Sequence, residues 1–288
     1  MTKIRKAVIP VAGFGTRFLP ASKSQPKEML PIVDKPTIQF IVEALVEADI
    51  TEIIIVTSGN KRAVEDHFDR TPELEKWLEK TGKTKILKEL RAIPRMANFV
   101  YIRQKGPMGN GTPILNSKSL IGDEPFIVCY GDEFYTGKPN WIKQMIDVYE
   151  KYQDPVVSLI KVTKEETNRY GIFSGPQVEK DVYQINHIAE KPGPEKAKSN
   201  LASIGGYILT PDIFKLLEKQ KPGKGGELWL ADAVKELNKT RPIYGKLIEG
   251  KLYDAGTIIG WLKANIELGL NHPKINSEFK KYLKKLKV

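Results

Sequence analysis

Two short apolar runs and the segment between them constrain the fold most. "AVIPV" occupies residues 7–11 and "EIIIVTS" residues 52–58, and both read as buried strands. Between them lies "PTIQFIVEALVEA", where Ile38, Ile41, Val42, Leu45 and Val46 recur at helical spacing and Pro36 stands near the start. A strand, a helix and a strand in this order make a parallel pair joined by a right-handed crossover. The chain is therefore expected to be α/β.

The rest of the sequence extends this pattern. Residues 60–96 are charged and mostly helical in period, and "FVYIRQ" and "FIVCYGDE" read as further strands. In the second half "PVVSLIKV", "YGIFSG", "DVYQINHIAEK" and "ASIGGYILT" are strand-like and closely spaced, so the sheet should be mixed. "PDIFKLLEKQ" and "LWLADAVKELNK" read as helices, "IYGKLIEGKLYDAG" as strand–turn–strand, and 257–288 as mainly helical. No linker or repeat interrupts the chain. One domain over 1–288, with a helical C-terminal extension at about 257–288, is expected.

The loop after the first strand is unusual. "GFGTRFLPASKSQPKEMLP" combines Gly13 and Gly15 with Arg17, Lys23 and Lys27, and spaces them with Pro20, Pro26 and Pro31. Glycines after a strand expose backbone N–H groups that suit an anion. It is not a P-loop, because no Gly-Lys-Ser/Thr follows. It is not the dinucleotide fingerprint, because Phe18 takes the place of the third glycine. A stiffened loop rich in cations fits phosphate chemistry without naming it.

Composition narrows the class. Hydrophobic residues make up 41% of the 288, ordinary for a globular protein, and no apolar run is long enough for a membrane span. The net charge of +11 invites a nucleic-acid reading, but the tail "HPKINSEFKKYLKKLKV" alone holds six lysines against one glutamate. Phe279, Tyr282, Leu283 and Leu286 give that tail helical spacing. A docked amphipathic helix with a solvated lysine face explains the charge without nucleic acid. The single cysteine, Cys129, lies in an apolar run and excludes an internal disulfide. A cytoplasmic protein is expected. The three histidines, His67, His187 and His272, have no zinc spacing and suggest no hydrolase triad.

The order of motifs resembles the sugar-nucleotide pyrophosphorylases, and within them the bacterial uridylyltransferase branch. The family pattern G-x-G-T-R-x-x-P-x-T-x-x-x-P-K-E-M-L-P stands here with Ser22 for the threonine. "VDKPTIQFIVEAL", "IRQKGPMGNG", "IGDEPFIVCYGDE", "RYGIF", "AEKP", "SNLASIGGYIL", "GGELWLADAV" and "KLYDAG" follow in order and cover nearly the whole chain. The chain departs from the pattern in "GNGTP", with Asn110, Thr112 and Pro113, in Gln25, and in "YGDEF".

The resemblance implies a Rossmann-like three-layer α/β/α nucleotidyltransferase fold with a mixed central sheet. It implies UTP and glucose 1-phosphate as substrates, Mg2+ as cofactor and a homo-oligomer, dimer or tetramer, without nucleic acid or membrane insertion. Residue by residue, it places Arg17 at the leaving pyrophosphate and Lys27 at the nucleotide phosphates. Ala12, Gly13, Gly15, Glu28, Gln104 and Gly109 fall on the nucleotide side. Gly171, Glu190, Lys191 and Gly206 fall on the sugar side, and Asp132 and Asp254 would share the metal. The alternatives are the same reaction with dTTP, or a non-catalytic nucleotide-sugar binder. The helical insert at 60–96 favours the uridylyltransferase type. Intact Arg17, Lys27, Asp132, Lys191 and Asp254 argue against a mere binder.

The chemistry is consistent with these residue types. A sugar phosphate has a second pKa of about 6 and is already largely dianionic near neutral pH. No general base is needed. Repulsion between two anions is the obstacle, about 4 kcal/mol per pair of unit charges at 4 Å and an effective dielectric near 20. Placed cations and a metal answer it.

Overall fold

The computed structural model describes residues 3–286. The last two residues of the extension expected at 257–288 lie outside the described residues, as do the first two of the chain.

In chain order the elements begin with β1 (Lys6–Pro10), β2 (Pro31–Ile32), β3 (Lys35–Pro36), α1 (Thr37–Glu47) and β4 (Glu52–Thr57). Then come α2 (Arg62–His67), α3 (Pro72–Lys80), α4 (Thr84–Ala92), β5 (Asn98–Arg103), α5 (Gly111–Asn116) and α6 (Lys118–Ile121). The middle holds β6 (Phe126–Cys129), β7 (Glu133–Thr136), α7 (Trp141–Tyr152), β8 (Val156–Lys161), β9 (Gly171–Ser174), β10 (Gln177–Glu179), β11 (Val182–Ile185), β12 (His187–Glu190) and β13 (Leu201–Leu209). The chain ends with α8 (Asp212–Lys219), α9 (Leu230–Leu237), β14 (Ile243–Leu247), β15 (Lys251–Asp254), α10 (Ile258–Asn271) and α11 (Asn276–Lys285).

The main sheet has 11 strands, in the order β10-β11-β14-β8-β13-β6-β1-β4-β5, with β9 joining β13 to β12. β6, β1, β4 and β5 are parallel, as the opening crossover requires, whereas β13 runs antiparallel to β6 and β8. The sheet is mixed, as expected.

Alternation along the central strands explains the three layers. Ala7, Ile9, Ile53, Ile55, Ile127 and Cys129 face a core shared with α1 and α7, where Ile38, Ile41, Val42, Leu45 and Met145 are buried. Val8, Ile54, Val56, Phe126 and Val128 face the opposite way, onto Ile114, Phe214, Leu217, Leu230 and Val234 from α5, α8 and α9. Both faces of the sheet are covered, so these strands read as continuous apolar runs.

Three local readings need correction. "FIVCYGDE" is not one strand. β6 ends at Cys129, Tyr130 N donates to Gly205 O at 3.2 Å, and the chain leaves the main sheet before β7. "DVYQINHIAEK" breaks at Asn186, whose N–H donates to Ser174 O at 2.9 Å. The strand–turn–strand at 243–254 spans two sheets: β14 lies between β11 and β8, while β15 pairs with β7 in a separate ribbon. In that ribbon Asp254 stands opposite Glu133. The basic tail forms α11, whose Phe279 ring packs against Gly269 of α10, while Tyr282 and Leu286 stay exposed.

Candidate active site

In the strand order β5-β4-β1-β6 the chain moves outward from β1 through β4 to β5, then returns to the other side of β1 with β6. The carboxyl ends of β1 and β6 therefore border a topological switch point, where open α/β sheets bind ligands. The cation-rich loop leaves β1 there, and Asp132 leaves β6 there.

That loop is folded into three turns of 3-10 helix, Thr16–Phe18, Ala21–Lys23 and Lys27–Met29. Gly15 starts the first at φ +68°, a left-handed conformation that glycine adopts without strain. Ser22 Oγ donates to Gly15 O at 2.7 Å, so serine in place of threonine keeps the hydroxyl that ties the loop. Gly13 is open on its Cβ side.

The loop presents Lys27 to Asp132 in a salt bridge. Burial works against the Lys27 ammonium, but Asp132 and Glu28 hold its pKa above the usual lysine value. Glu28 turns inward to accept from Lys61 Nζ at 2.9 Å. Burial raises the Glu28 carboxyl in spite of Lys61 and Lys27.

Asp132 and Asp254 come together across Gly256. A Cβ on Gly256 would lie 2.3 Å from Asp132 Oδ2 and 3.1 Å from Asp254 Oδ1. Ala255 N donates to Asp132 O at 2.9 Å and Gly256 N to Asp254 Oδ1 at 3.0 Å. Arg17 Nη1 donates to Gly256 O at 3.4 Å, so the first turn of the loop reaches the same point. Asp254 does not cap α10: Thr257 does, accepting from Gly260 N at 3.2 Å. Burial and the charge of Asp132 raise the Asp254 carboxyl, and burial with both aspartates raises Glu133, one oxygen of which is buried without a partner.

Two convergent carboxylates are a hard-oxygen donor set that fits Mg2+, which takes one or two carboxylates and completes its octahedron with phosphates and water. Among the described residues no group of three His, Cys, Asp or Glu side chains is placed to hold a metal by itself.

On the second side, β12 pairs with β9 so that Glu190 stands opposite Gly171. A Cβ on Gly171 would lie 3.2 Å from Glu190 Oε2. Lys191 follows at φ +46°, donates its N–H to Tyr170 O at 3.2 Å, and pairs with Glu190 at 3.1 Å. Its ammonium sits 5.9 Å from the Trp229 ring centre. Both charged groups are half exposed and open to a ligand.

Other expected site residues have protein neighbours that explain them. Gly206 lies against the Trp141 ring, 2.7 Å from where its Cβ would be, which accounts for glycine there without a substrate. Gly109, at φ +115°, lies against the Leu228 backbone, where a Cβ would come within 2.3 Å of the carbonyl oxygen. Gln104 extends β5 by donating its N–H to Thr57 O at 2.8 Å. Ala12 is buried beside the loop.

Lys61, Glu133, Asn110 and Trp229 are additions that sequence reasoning missed. Glu133 left a signal within the departure "YGDEF", and Asn110 left one within "GNGTP". Its Nδ2 donates to Tyr130 Oη at 2.9 Å and its Oδ1 accepts from Leu230 N at 2.8 Å, so it caps α9 from a distant loop. Asn110→Ala is expected to cost about 2 kcal/mol, one cap plus one buried hydroxyl partner. A differential scan should show the melting temperature about 5 °C lower. An unchanged melting temperature would mean that water replaces both bonds.

The fold and the loop, acid-pair and Glu-Lys sites together define a nucleotidyltransferase. Residues 6–269 match the nucleotidyl transferase family, and the chain belongs to it. Among its relatives is the UTP–glucose-1-phosphate uridylyltransferase YngB of Bacillus subtilis, 47% identical over 281 residues that cover 98% of this chain and 95% of the relative. A second Bacillus subtilis UTP–glucose-1-phosphate uridylyltransferase is 45% identical, covering 99% and 98%. Among solved structures, a UDP-glucose pyrophosphorylase complexed with UDP-glucose superposes with a TM-score of 0.84 at 43% identity, covering 97% of this chain and 100% of that one. The UTP-bound enzyme of Acinetobacter baumannii superposes at 0.91 and 37% identity, covering 99% and 100%.

Proposed function

We propose that the chain joins UTP and α-D-glucose 1-phosphate to give UDP-glucose and pyrophosphate. The observation that carries this reading is the convergence of Arg17, Lys27, Asp132 and Asp254 at the switch point, in a chain so similar to uridylyltransferases along its whole length. The sugar phosphate oxygen attacks the α-phosphorus of UTP in line, the bond to the β-phosphate oxygen breaks, and pyrophosphate leaves with the electron pair. Lys27 orients the nucleotide phosphates and Arg17 offsets charge on the leaving pyrophosphate. Ala12, Gly13, Gly15, Glu28, Gln104 and Gly109 shape the nucleotide side. Glu190 accepts from sugar hydroxyls, Gly171 leaves room beside it, and Lys191 holds the sugar phosphate. Mg2+, held by Asp132 and Asp254 with substrate phosphates, would supply charge compensation between the anions.

The whole of 1–288 acts as one domain in this reading. A cytoplasmic location accords with the buried free thiol Cys129, and no helix among the described residues is long and apolar enough to cross a membrane. A homo-oligomer is proposed as well. Ile258, Ile259, Leu262 and Ile266 form an exposed apolar stripe on α10 that a second copy would cover. Sedimentation as a monomer at micromolar concentration would refute that part.

Pyrophosphate release should be measured with glucose 1-phosphate, magnesium and each nucleoside triphosphate in turn. UTP is expected to be used best. Faster release with dTTP would transfer the reading to the thymidylyl reaction, and none with any nucleotide would leave only a binder.

A further inference from the structure

The transfer chemistry leaves the ion pair between Lys61 and Glu28 unexplained. Both residues are 1% exposed, so the Lys61 ammonium cannot touch a substrate. Two charges withdrawn from water gain little net stability over an apolar pair of the same volume. What such a pair does impose is one arrangement of the groups that carry it.

Here the arrangement is that of the turn Lys27–Met29. With three residues per turn, neighbouring side chains on a 3-10 helix point about 120° apart. Glu28 points down beside Gly131 and Val11: a Cβ on Gly131 would lie 2.9 Å from Glu28 Cγ and 2.9 Å from Val11 Cγ1. Lys27, one position earlier, is thereby turned sideways toward Asp132. Lys61 itself is held by the turn after β4, where its N–H donates to Ser58 O at 3.1 Å. The same strand end is braced by Thr57 Oγ1 donating to Glu65 at 3.0 Å, and by the Arg103–Glu65 pair at 2.9 Å.

We infer that Lys61 is a positioning residue for nucleotidyl transfer: its bond to Glu28 sets the rotation of the Lys27–Met29 turn, and so the direction in which the Lys27 ammonium meets the nucleotide phosphates. The inference rests on the role proposed above for Lys27.

The test is steady-state kinetics on the full chain, with KM and kcat measured for each substrate. Wild-type turnover with UTP checks the transfer reading first; its absence would overturn that reading and this inference with it. Lys61→Met keeps the stem and removes the ammonium. Its kcat/KM for UTP should fall about a hundredfold, the loss expected when a catalytic group is displaced by an ångström. KM for glucose 1-phosphate should stay within about threefold, because the sugar side is untouched. In a Lys27→Ala background, Lys61→Met should change nothing further, since effects on one path do not add. A purely structural Lys61 would lower the melting temperature and leave kinetics per folded molecule alone. That result, or effects that multiply in the double variant, would overturn this inference while the transfer reading stands. If Lys61→Met does not fold, Glu28→Gln/Lys61→Met removes both charges and should fold. There too, adding Lys27→Ala should cost far less than it costs the wild type, and an equal cost would overturn the inference.

Discussion

Asp254→Asn is expected to lower turnover about a thousandfold, by removing about 4 kcal/mol of transition-state stabilisation, while leaving the fold as stable as before or more so. The stability half follows from the sign of the pKa shift. Burial, then the charge of Asp132, raise the Asp254 carboxyl in the folded protein. An acid whose pKa is raised on folding opposes folding once the pH passes its unfolded value, so at neutral pH the charge destabilises. Asparagine removes that charge and can still accept from Gly256 N through Oδ1, as Asp254 does at 3.0 Å. Asp132→Asn should lose turnover similarly but behave differently on melting. It deprives the half-buried Lys27 of its carboxylate and should cost about 1–3 kcal/mol. Turnover and melting temperature across a magnesium titration separate these effects. Near-normal turnover in either variant at moderate magnesium would remove that residue from the proposed metal site. A drop in the melting temperature of Asp254→Asn would show that its charge is structural.

This division between charge and scaffold also marks what could be read from the sequence. The opening crossover was legible because Ile38, Ile41, Val42 and Leu45 repeat with the helix and all are buried. The glycine and proline spacing of the first loop was legible as a stiff run of tight turns, because backbone restrictions act locally. What escaped depends on groups distant in the chain. After Cys129 the chain keeps one more bond to β13, from Tyr130 N to Gly205 O, and then leaves to pair with the distant β15. The meeting of Asp132 with Asp254 was reached through the resemblance alone: it needs β15 to leave β14 and pair with β7, and no period in "GKLYD" announces that. Lys61 looked like any surface lysine of a charged helical region, because its partner lies 33 residues earlier. Gly109 and Gly206 were readable as glycines needing space, but not as glycines whose space is filled by Leu228 and Trp141. Local physics sets element type and turn chemistry. The identity of a close neighbour is set by the sheet order.

Lys191→Ala is expected to reduce kcat/KM for glucose 1-phosphate roughly a hundredfold, by loss of one charge-assisted contact of about 3 kcal/mol. The folded protein gives little other reason for a lysine there. Its bridge to Glu190 joins two half-exposed groups, and such pairs contribute about 0–1 kcal/mol. Its φ of +46° is one that a non-glycine residue adopts at a cost of about 1–3 kcal/mol, and alanine would bear a similar cost. The melting temperature should therefore move by no more than about 3 °C. The strained backbone aims the side chain beside Glu190 and over Trp229, where a sugar phosphate would find a point charge beside a hydroxyl acceptor. KM for UTP should be nearly unchanged, because in the proposed reaction it is Lys27 and Arg17, on the other loop, that meet the nucleotide. Lys191→Arg should recover only part of the activity, since a planar fork does not reproduce a compact ammonium in this corner. Steady-state kinetics with each substrate varied in turn decides the matter. Unchanged kcat/KM for glucose 1-phosphate in Lys191→Ala would make Lys191 a turn residue and leave Glu190 without a cationic partner at the sugar.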